Sequence, residues 1–253
     1  MMIPFLKKLD RFVFLAALLI LWQILSASDI VPHYMLPGPS DVGRAFINDF
    51  SLLMKNLQIT ITEACLGLIL AVLASFVFAI IMDCSRFLKV SMLPVFSLSQ
   101  TLPTIAIAPL LILWLGFGIV PKIILVFSTC FFPITMALLG SFADADDDQI
   151  KLFNSMGASR SQIYYYYKLP QSSPPFFSAL KVSVTYSIIS AVVAEWLGGN
   201  AGLGVYMIRV RKTYSFDKMF AVIILTALLS LVLLHIVTLI EKRILIYKKQ
   251  EIL

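Results

Sequence analysis

Residues able to do chemistry are few in this sequence, and their spacing does not assemble a catalytic site. The only histidines, His33 and His235, are far apart in the chain. None of the 11 glycines opens a GxxxxGK phosphate loop, and no HExxH, CxxC or GxSxG occurs. The cysteines Cys65, Cys84 and Cys130 are odd in number and fall in or beside apolar runs. They read as small buried hydrophobes, not as a disulfide or metal framework. The expectation is a chain with no catalytic residue, no metal and no cofactor of its own. Any uphill work must draw on a partner or an ion gradient.

Two acids interrupt apolar runs, Glu63 and Glu195. A carboxylate at a bilayer centre costs about 3 kcal/mol on insertion scales, so it faces a bundle interior or water unless it can snorkel to an interface. Neither has an obvious basic partner in the sequence. Glu195 is followed by Gly198, Gly199 and Gly202-Leu203-Gly204, which predicts a tight turn. Both acids are therefore candidates for a translocation path, where a carboxylate would suit a neutral or cationic cargo. Pro103 and Pro109, with Pro94, interrupt a third apolar run; a proline kinks a helix and frees carbonyls toward a cavity or neighbour, so these two join the candidate path.

The densest charge lies in DADDDQIKLFNSMGASRSQIYYYYKLP, residues 144–170, with Asp144, Asp146, Asp147 and Asp148 at its start. Acids suit a helix N-terminus, and Ile150, Phe153 and Met156 recur every third residue to give that helix one greasy face. Gly157 is placed to close it in a left-handed conformation. Ser159-Arg160-Ser161-Gln162 is an S-x-x-Q capping box for a second short helix through the tyrosines, which Leu169-Pro170 should end. Tyrosines at headgroup level are ordinary. A greasy face on a short cytoplasmic helix, however, fits a partner's groove.

The elements that position these groups follow from composition. The 253 residues are 60% hydrophobic and 13% charged, against about 45–50% apolar and about 25% charged in a soluble domain. The excess comes in six blocks, 12–26, 59–82, 92–114, 123–140, 176–197 and 220–240, close to the ~20 residues that a bilayer demands of a helix. The fold class is an all-α polytopic membrane protein, one domain over residues 1–253 with no soluble domain beside it. Lys7 and Lys8 before an apolar run ending ILSAS mimic a signal peptide, but six spans with both ends on one side is self-consistent. Lys7, Lys8, Arg11, Arg86, Lys89, Lys151, Arg160, Lys168, Lys242, Arg243, Lys248 and Lys249 fall on one side. Arg44, Lys55, Lys122, Arg209, Arg211, Lys212 and Lys218 fall on the other. That bias puts both termini and residues 144–170 in the cytoplasm. The net charge of +6 is dispersed over helix ends, which fits membrane anchoring and not nucleic acid.

The segment Gly157-Ala158-Ser159, an apolar helix and Leu169-Pro170 between the fourth and fifth blocks resembles the cytoplasmic coupling motif of bacterial ABC importer permeases. Lys151, Leu152 and Phe153 stand where that family has Glu-Ala-Ala, and Asp146 to Asp148 lie one turn earlier. MLPGPSDVGRAF, TLPTIAIAPLLILWLGFGIVPKI and SALKVSVTYSIISAVVAEWLGGNAGLGVYM resemble the nitrate, sulfonate and taurine branch. AVVAEWLGGNAGLGVYM and YSFDKMFAVIILTALLSL look closest to permeases for the pyrimidine precursor of thiamine. The resemblance implies a bacterial cytoplasmic-membrane permease, paired with a second copy. It also implies cytoplasmic ATPase subunits that hold ATP and Mg, and an external substrate-binding protein. It assigns ATPase coupling to Asp148, Lys151, Phe153, Met156, Gly157, Ala158, Ser159, Leu169 and Pro170. The competing readings are an importer of nitrate-, sulfonate- or taurine-type anions, an ion-coupled secondary transporter and a non-transporting scaffold. Secondary transport would need paired intramembrane charges and inverted repeats, and no clear repeat is visible.

Overall fold

A computed structural model describes residues 3–28, 32, 35–101 and 103–250; His33 lies outside them. The chain is helical in the order α1 (Ile3–Ala27), α2 (Pro39–Asn48), α3 (Phe50–Cys84), α4 (Arg86–Thr101), α5 (Thr104–Leu115), α6 (Val120–Ala143), α7 (Asp147–Ser155) and α8 (Arg160–Ile163). A π-helical turn (Tyr164–Lys168) then leads into α9 (Leu169–Gly198), α10 (Leu203–Lys212) and α11 (Phe216–Gln250). Among the described residues, four helical stretches are long and apolar enough to cross a membrane: Phe50–Cys84, Val120–Ala143, Arg160–Gly198 and Phe216–Leu245. Two shorter apolar helices, Ala16–Ala27 and Ile105–Leu115, accompany them.

The third apolar block is not the single helix over 92–114 that its hydropathy suggests. It divides into α4 and α5 immediately before Thr104, where Pro103 sits in extended geometry (φ −65°, ψ 117°) as the N-cap of α5. Proline donates no hydrogen bond and pushes its predecessor out of helical geometry, so it fits a helix start better than a helix interior. Pro94 and Pro109 stay inside their helices. The remaining blocks extend beyond their apolar limits; α3 begins at Phe50, nine residues before its block, where Leu53 is buried and Asn56 finds a partner inside the fold.

The centre of the bundle is the mutual packing of α3, α6 and α9. On α3 the buried positions Thr60, Ala64, Gly67, Ala71, Ser75 and Ala79 form one stripe at spacings of three and four. Small residues let helix backbones approach, which matters in lipid because apolar burial itself drives little helix association there. Polar side chains stitch the same interface. Ser75 Oγ donates to the Phe131 carbonyl at 3.0 Å, Thr135 Oγ1 to Ser75 Oγ at 3.0 Å and Cys130 Sγ to the Ser183 carbonyl at 3.2 Å. Interhelical bonds of this kind contribute about 0.6 kcal/mol each. Leu66, Ile69, Leu73, Val77 and Ile81 on the opposite face of α3 are exposed, as a lipid-facing surface requires.

Gly67 marks the closest approach: a Cβ there would stand 2.6 Å from the Val126 side chain and 2.9 Å from the Ile123 carbonyl. Gly67→Leu is expected to destabilise the bundle by about 1–3 kcal/mol through overpacking, read as a fall in melting temperature in detergent. Gly140→Ala, where an added Cβ meets nothing within 4 Å, is expected to leave that temperature unchanged.

Candidate functional site

Residues 144–170 form two capped helices around one glycine. Asp146 caps α7 by accepting the Asp148 N–H at 2.9 Å, and Asp147 and Asp148 lie in the first turn. The C-terminus closes as a Schellman motif: the Gly157 N–H bonds the Asn154 carbonyl, the Ala158 N–H bonds the Phe153 carbonyl, and Gly157 takes φ +80°. Ser159 Oγ then accepts the Gln162 N–H at 3.3 Å, while Gln162 Oε1 accepts the Ser159 N–H at 2.7 Å. Lys151 pairs with Asp148 at 2.9 Å on the open surface, with both side chains at least 74% exposed. Such a pair adds little to stability.

The second helix does not stop at Leu169-Pro170. It runs unbroken from Arg160 to Gly198. The Leu169 N–H reaches back five residues to the Tyr164 carbonyl, and this wider turn absorbs the donor that Pro170 lacks. The greasy face of α7 also divides. Phe153 stacks on Tyr167 at 5.9 Å, and Tyr167 Oη accepts the Asp146 N–H at 2.9 Å, so Phe153 is half-buried against its own chain. Leu152 and Met156 are the apolar side chains left outward, 60% and 76% exposed. Periodicity pointed to Phe153 and missed Leu152, which stands one position off the three-residue rhythm.

The candidate path residues separate. Glu63 and Glu195 come together, each 1% exposed. Glu63 has a basic partner after all: Lys122, assigned by sequence to an outer connection, is buried and donates to Glu63 Oε1 at 2.6 Å. Glu195 is spent on the start of α10. Its Oε2 accepts the Gly204 N–H at 2.5 Å and its Oε1 accepts from Thr60 Oγ1 at 2.6 Å. Thr60 Oγ1 accepts the Leu203 N–H at 3.0 Å, and Asn56 Oδ1 accepts the Gly202 N–H at 2.8 Å. Three consecutive orphan donors of a helix N-terminus are thus met by side chains of α3 and α9. The predicted turn is present, with Gly202 at φ +122°, where a Cβ would fall 2.2 Å from the Glu195 carboxyl. A carboxylate engaged in this way gives no indication of cargo charge. Pro103, the N-cap of α5, and Pro109, inside it, are exposed.

Sequence reasoning passed over α10 itself. Its signal was the run of apolar residues within LGVYMIRVRK, where Leu203, Val205, Tyr206, Met207 and Val210 are buried. A second tie holds it. Asp49, between α2 and α3, accepts from Tyr206 Oη at 2.5 Å and from Lys218 Nζ at 2.8 Å. Lys218 first and Tyr206 second hold the Asp49 carboxyl below the usual carboxylate range, while burial and Asp49 push the Tyr206 phenol up.

Residues 65–246 match the family described as "Binding-protein-dependent transport system inner membrane component". The chain is 33% identical over 227 residues to a "Probable ABC transporter permease protein" of Haemophilus influenzae, covering 90% of this chain and 93% of that one. It is 30% identical over 246 residues to the "Formylaminopyrimidine transport permease protein ThiX" of Halalkalibacterium halodurans, covering 97% and 98%. Taurine, aliphatic sulfonate and nitrate permeases match at 22–27% identity. Among solved structures, inward-facing MetNI methionine ABC transporter shares the fold, with a TM-score of 0.67 at 15% identity over 77% of this chain and 97% of that one.

Glu195→Ala leaves the buried Gly204 N–H without its acceptor, a loss of about 1–3 kcal/mol. Trypsin is then expected to cut after Arg209, Arg211 or Lys212 faster than in the wild type under native conditions; an unchanged rate would show that the cap does not hold α10. Because the folded pKa of Asp49 is depressed, its stabilisation is present at neutral pH and is lost as pH falls below about 4, the ordinary carboxylate value, through the folded one. The melting-temperature advantage of wild type over Asp49→Asn should shrink over that acid window and stay constant between pH 6 and 8.

Proposed function

The chain belongs to the family of binding-protein-dependent transport system inner membrane components, and from that premise we propose how its parts import a solute. It is a multi-pass permease subunit of an ABC importer, in the branch that includes nitrate, sulfonate and taurine permeases. In the arrangement we propose, six spans are α1, α3, the broken α4–α5 pair, α6, the continuous α8–α9 helix and α11, with both termini and α7 in the cytoplasm. A second copy completes the permease in the bacterial cytoplasmic membrane, ATP and Mg bind to partner ATPase subunits, and a substrate-binding protein docks outside.

The observation that carries this reading is α7: a short helix capped at both ends, with no buried residue and with Leu152 and Met156 turned outward. Among the described residues nothing covers that face, and a groove on the ATPase would bury it. Gly157 fixes the bend, and the unbroken helix beyond it leads directly into α9. Closure of the ATPases would then move α7 and tilt α9, shifting the bundle between two packings. Asp148, Lys151, Ala158 and Ser159 set the entry and exit of α7, and Leu169 and Pro170 lie just past the wide turn.

For the cargo, we favour an aminopyrimidine of the kind from which the thiamine pyrimidine is made. Support comes from the formylaminopyrimidine permease, which matches over nearly the full length of both chains at 30% identity. The anion permeases of the branch match at lower identity. The buried Glu63–Lys122 pair and the Lys181–Glu241 ion pair are the feature on which an ion-coupled mechanism could draw.

Leu152→Asp places a charge on the docking face away from both caps, and Met156→Lys places one at the C-cap position, where a cation suits the helix dipole. Each is expected to leave the amount of protein in the membrane unchanged, to remove the ATPase from the purified complex and to reduce uptake at least about tenfold, in line with a hot-spot loss of 1.4 kcal/mol or more. Uptake of labelled formylaminopyrimidine should require ATP, resist an excess of taurine or nitrate and survive an ionophore. Collapse by the ionophore with ATP present would favour ion coupling, and competition by taurine would favour the anion reading.

A further inference from the structure

The inner end of α3 holds a polar knot outside every residue set so far assigned to coupling. Asp83 stands one residue before the helix ends at Cys84. Its Oδ2 accepts from Tyr164 Oη at 2.5 Å and from Lys168 Nζ at 2.5 Å, and the Asp83 and Lys168 side chains are only 10% and 14% exposed. Lys168 also lies over the Tyr164 ring at 5.2 Å, Cys84 Sγ is 3.5 Å from Tyr164 Oη, and the ring meets Phe142 of α6 edge-on at 5.7 Å.

Tyr164 and Lys168 are the first and last residues of the π-helical turn. That turn is where α7 is attached: Tyr167, inside it, holds the α7 start through the Asp146 N–H and holds Phe153 by stacking. One turn therefore grips α7 with Tyr167 and α3 with Tyr164 and Lys168. A cleft of about 300 Å³, with Ile150 and Asn154 of α7 on one side and Asp83, Tyr164 and Lys168 on the other, lies between α7 and the α3 end. A displacement of α7 reaches α9 through the chain itself, but it reaches α3 through the turn.

We propose that Asp83 is a positioning residue of the transport cycle: by gripping Tyr164 and Lys168 it makes α3 move with α9 when the ATPase displaces α7. This rests on the importer reading and deepens it by naming the second output of the coupling segment. Without the grip, α7 could swing and turn over ATP while α3 lagged and the path failed to open. Breaking it should uncouple hydrolysis from uptake, where loss of the Leu152 and Met156 face should abolish both.

The test uses the full complex with its ATPase and binding protein in liposomes, reading solute taken up per ATP hydrolysed. Asp83→Asn and Lys168→Met should keep the ATPase bound and hydrolysing while the ratio falls about tenfold, the scale of ordinary coupling between sites. The swap Asp83→Lys with Lys168→Asp should recover most of it. Tyr164→Phe, which removes one donor and keeps the ring against Phe142, should give a smaller fall and guards against misfolding in the stronger variants. A wild-type ratio in Asp83→Asn and Tyr164→Phe overturns the proposal, as does a swap no better than the single variants. A wild-type complex that takes up solute without ATP hydrolysis would remove the importer reading and this inference with it, an outcome visible before any variant is measured.

Discussion

Close approach of α3, α6 and α9 is the constraint from which the other features follow. In lipid, apolar side chains gain little by leaving the solvent, so helices stay together through dispersion contact and interhelical hydrogen bonds. Both need backbones near one another, and the small-residue stripe of α3 at Ala64, Gly67, Ala71, Ser75 and Ala79 supplies that. The polar groups can then be buried because their partners are within reach. Thr135, Ser75 and Cys130 bond across the interface, and the Glu63–Lys122 pair closes between α3 and α6. A wider gap would leave these groups unpaired in a medium that cannot solvate them.

The same helices carry polar contacts toward both ends, with contrasting consequences. Near the N-terminal part of α3, Asn56, Thr60 and Glu195 satisfy the first donors of α10, and Asp49 ties Tyr206 and Lys218. Helix α10 is buried along most of its length. At the other end of α3, α7 has no buried residue and is held by its caps, by Phe153 on Tyr167 and by one bond to Asp146. Local stability follows such contact density, so the α7 region lies at the low end and α10 near the high end. That gradient suits a lever that is fixed at one end and displaced at the other.

Much of this was legible in the sequence, for reasons that are local. The all-helical class, the acidic N-cap, the glycine bend and the S-x-x-Q box depend on hydropathy, the helix dipole and backbone sterics within a few residues, and the caps and the bend at Gly157 and Ser159 stand in the structure. The failures are non-local. Lys122 looked like an outer-loop cation because its partner, Glu63, is 59 residues away. Pro170 looked like a stop because single-residue rules do not anticipate the wide turn that accommodates it. Helix α10 carried too short an apolar run to register beside spans of twice its length. Phe153 and Leu152 are adjacent in sequence, and which of them faces outward depends on Tyr167, fourteen residues on.

The wide turn explains why four tyrosines stand together. In a plain α-helix, Pro170 would leave a carbonyl without its donor; the five-residue return from Leu169 to Tyr164 accommodates the gap and leaves one residue more than a regular turn holds. That extra residue rotates the preceding side chains, so that Tyr164 reaches α3 while Tyr167 reaches α7. Tyr165 and Tyr166, packed edge-on at 5.0 Å and 69% and 64% exposed, are left to the membrane surface or to a partner. Isolated nine-residue helices are marginal in water, because nucleation outweighs the few bonds gained. Helix α7 therefore keeps its shape only while the turn holds it, and the proline that sequence rules read as an end is what gives the joint its two grips.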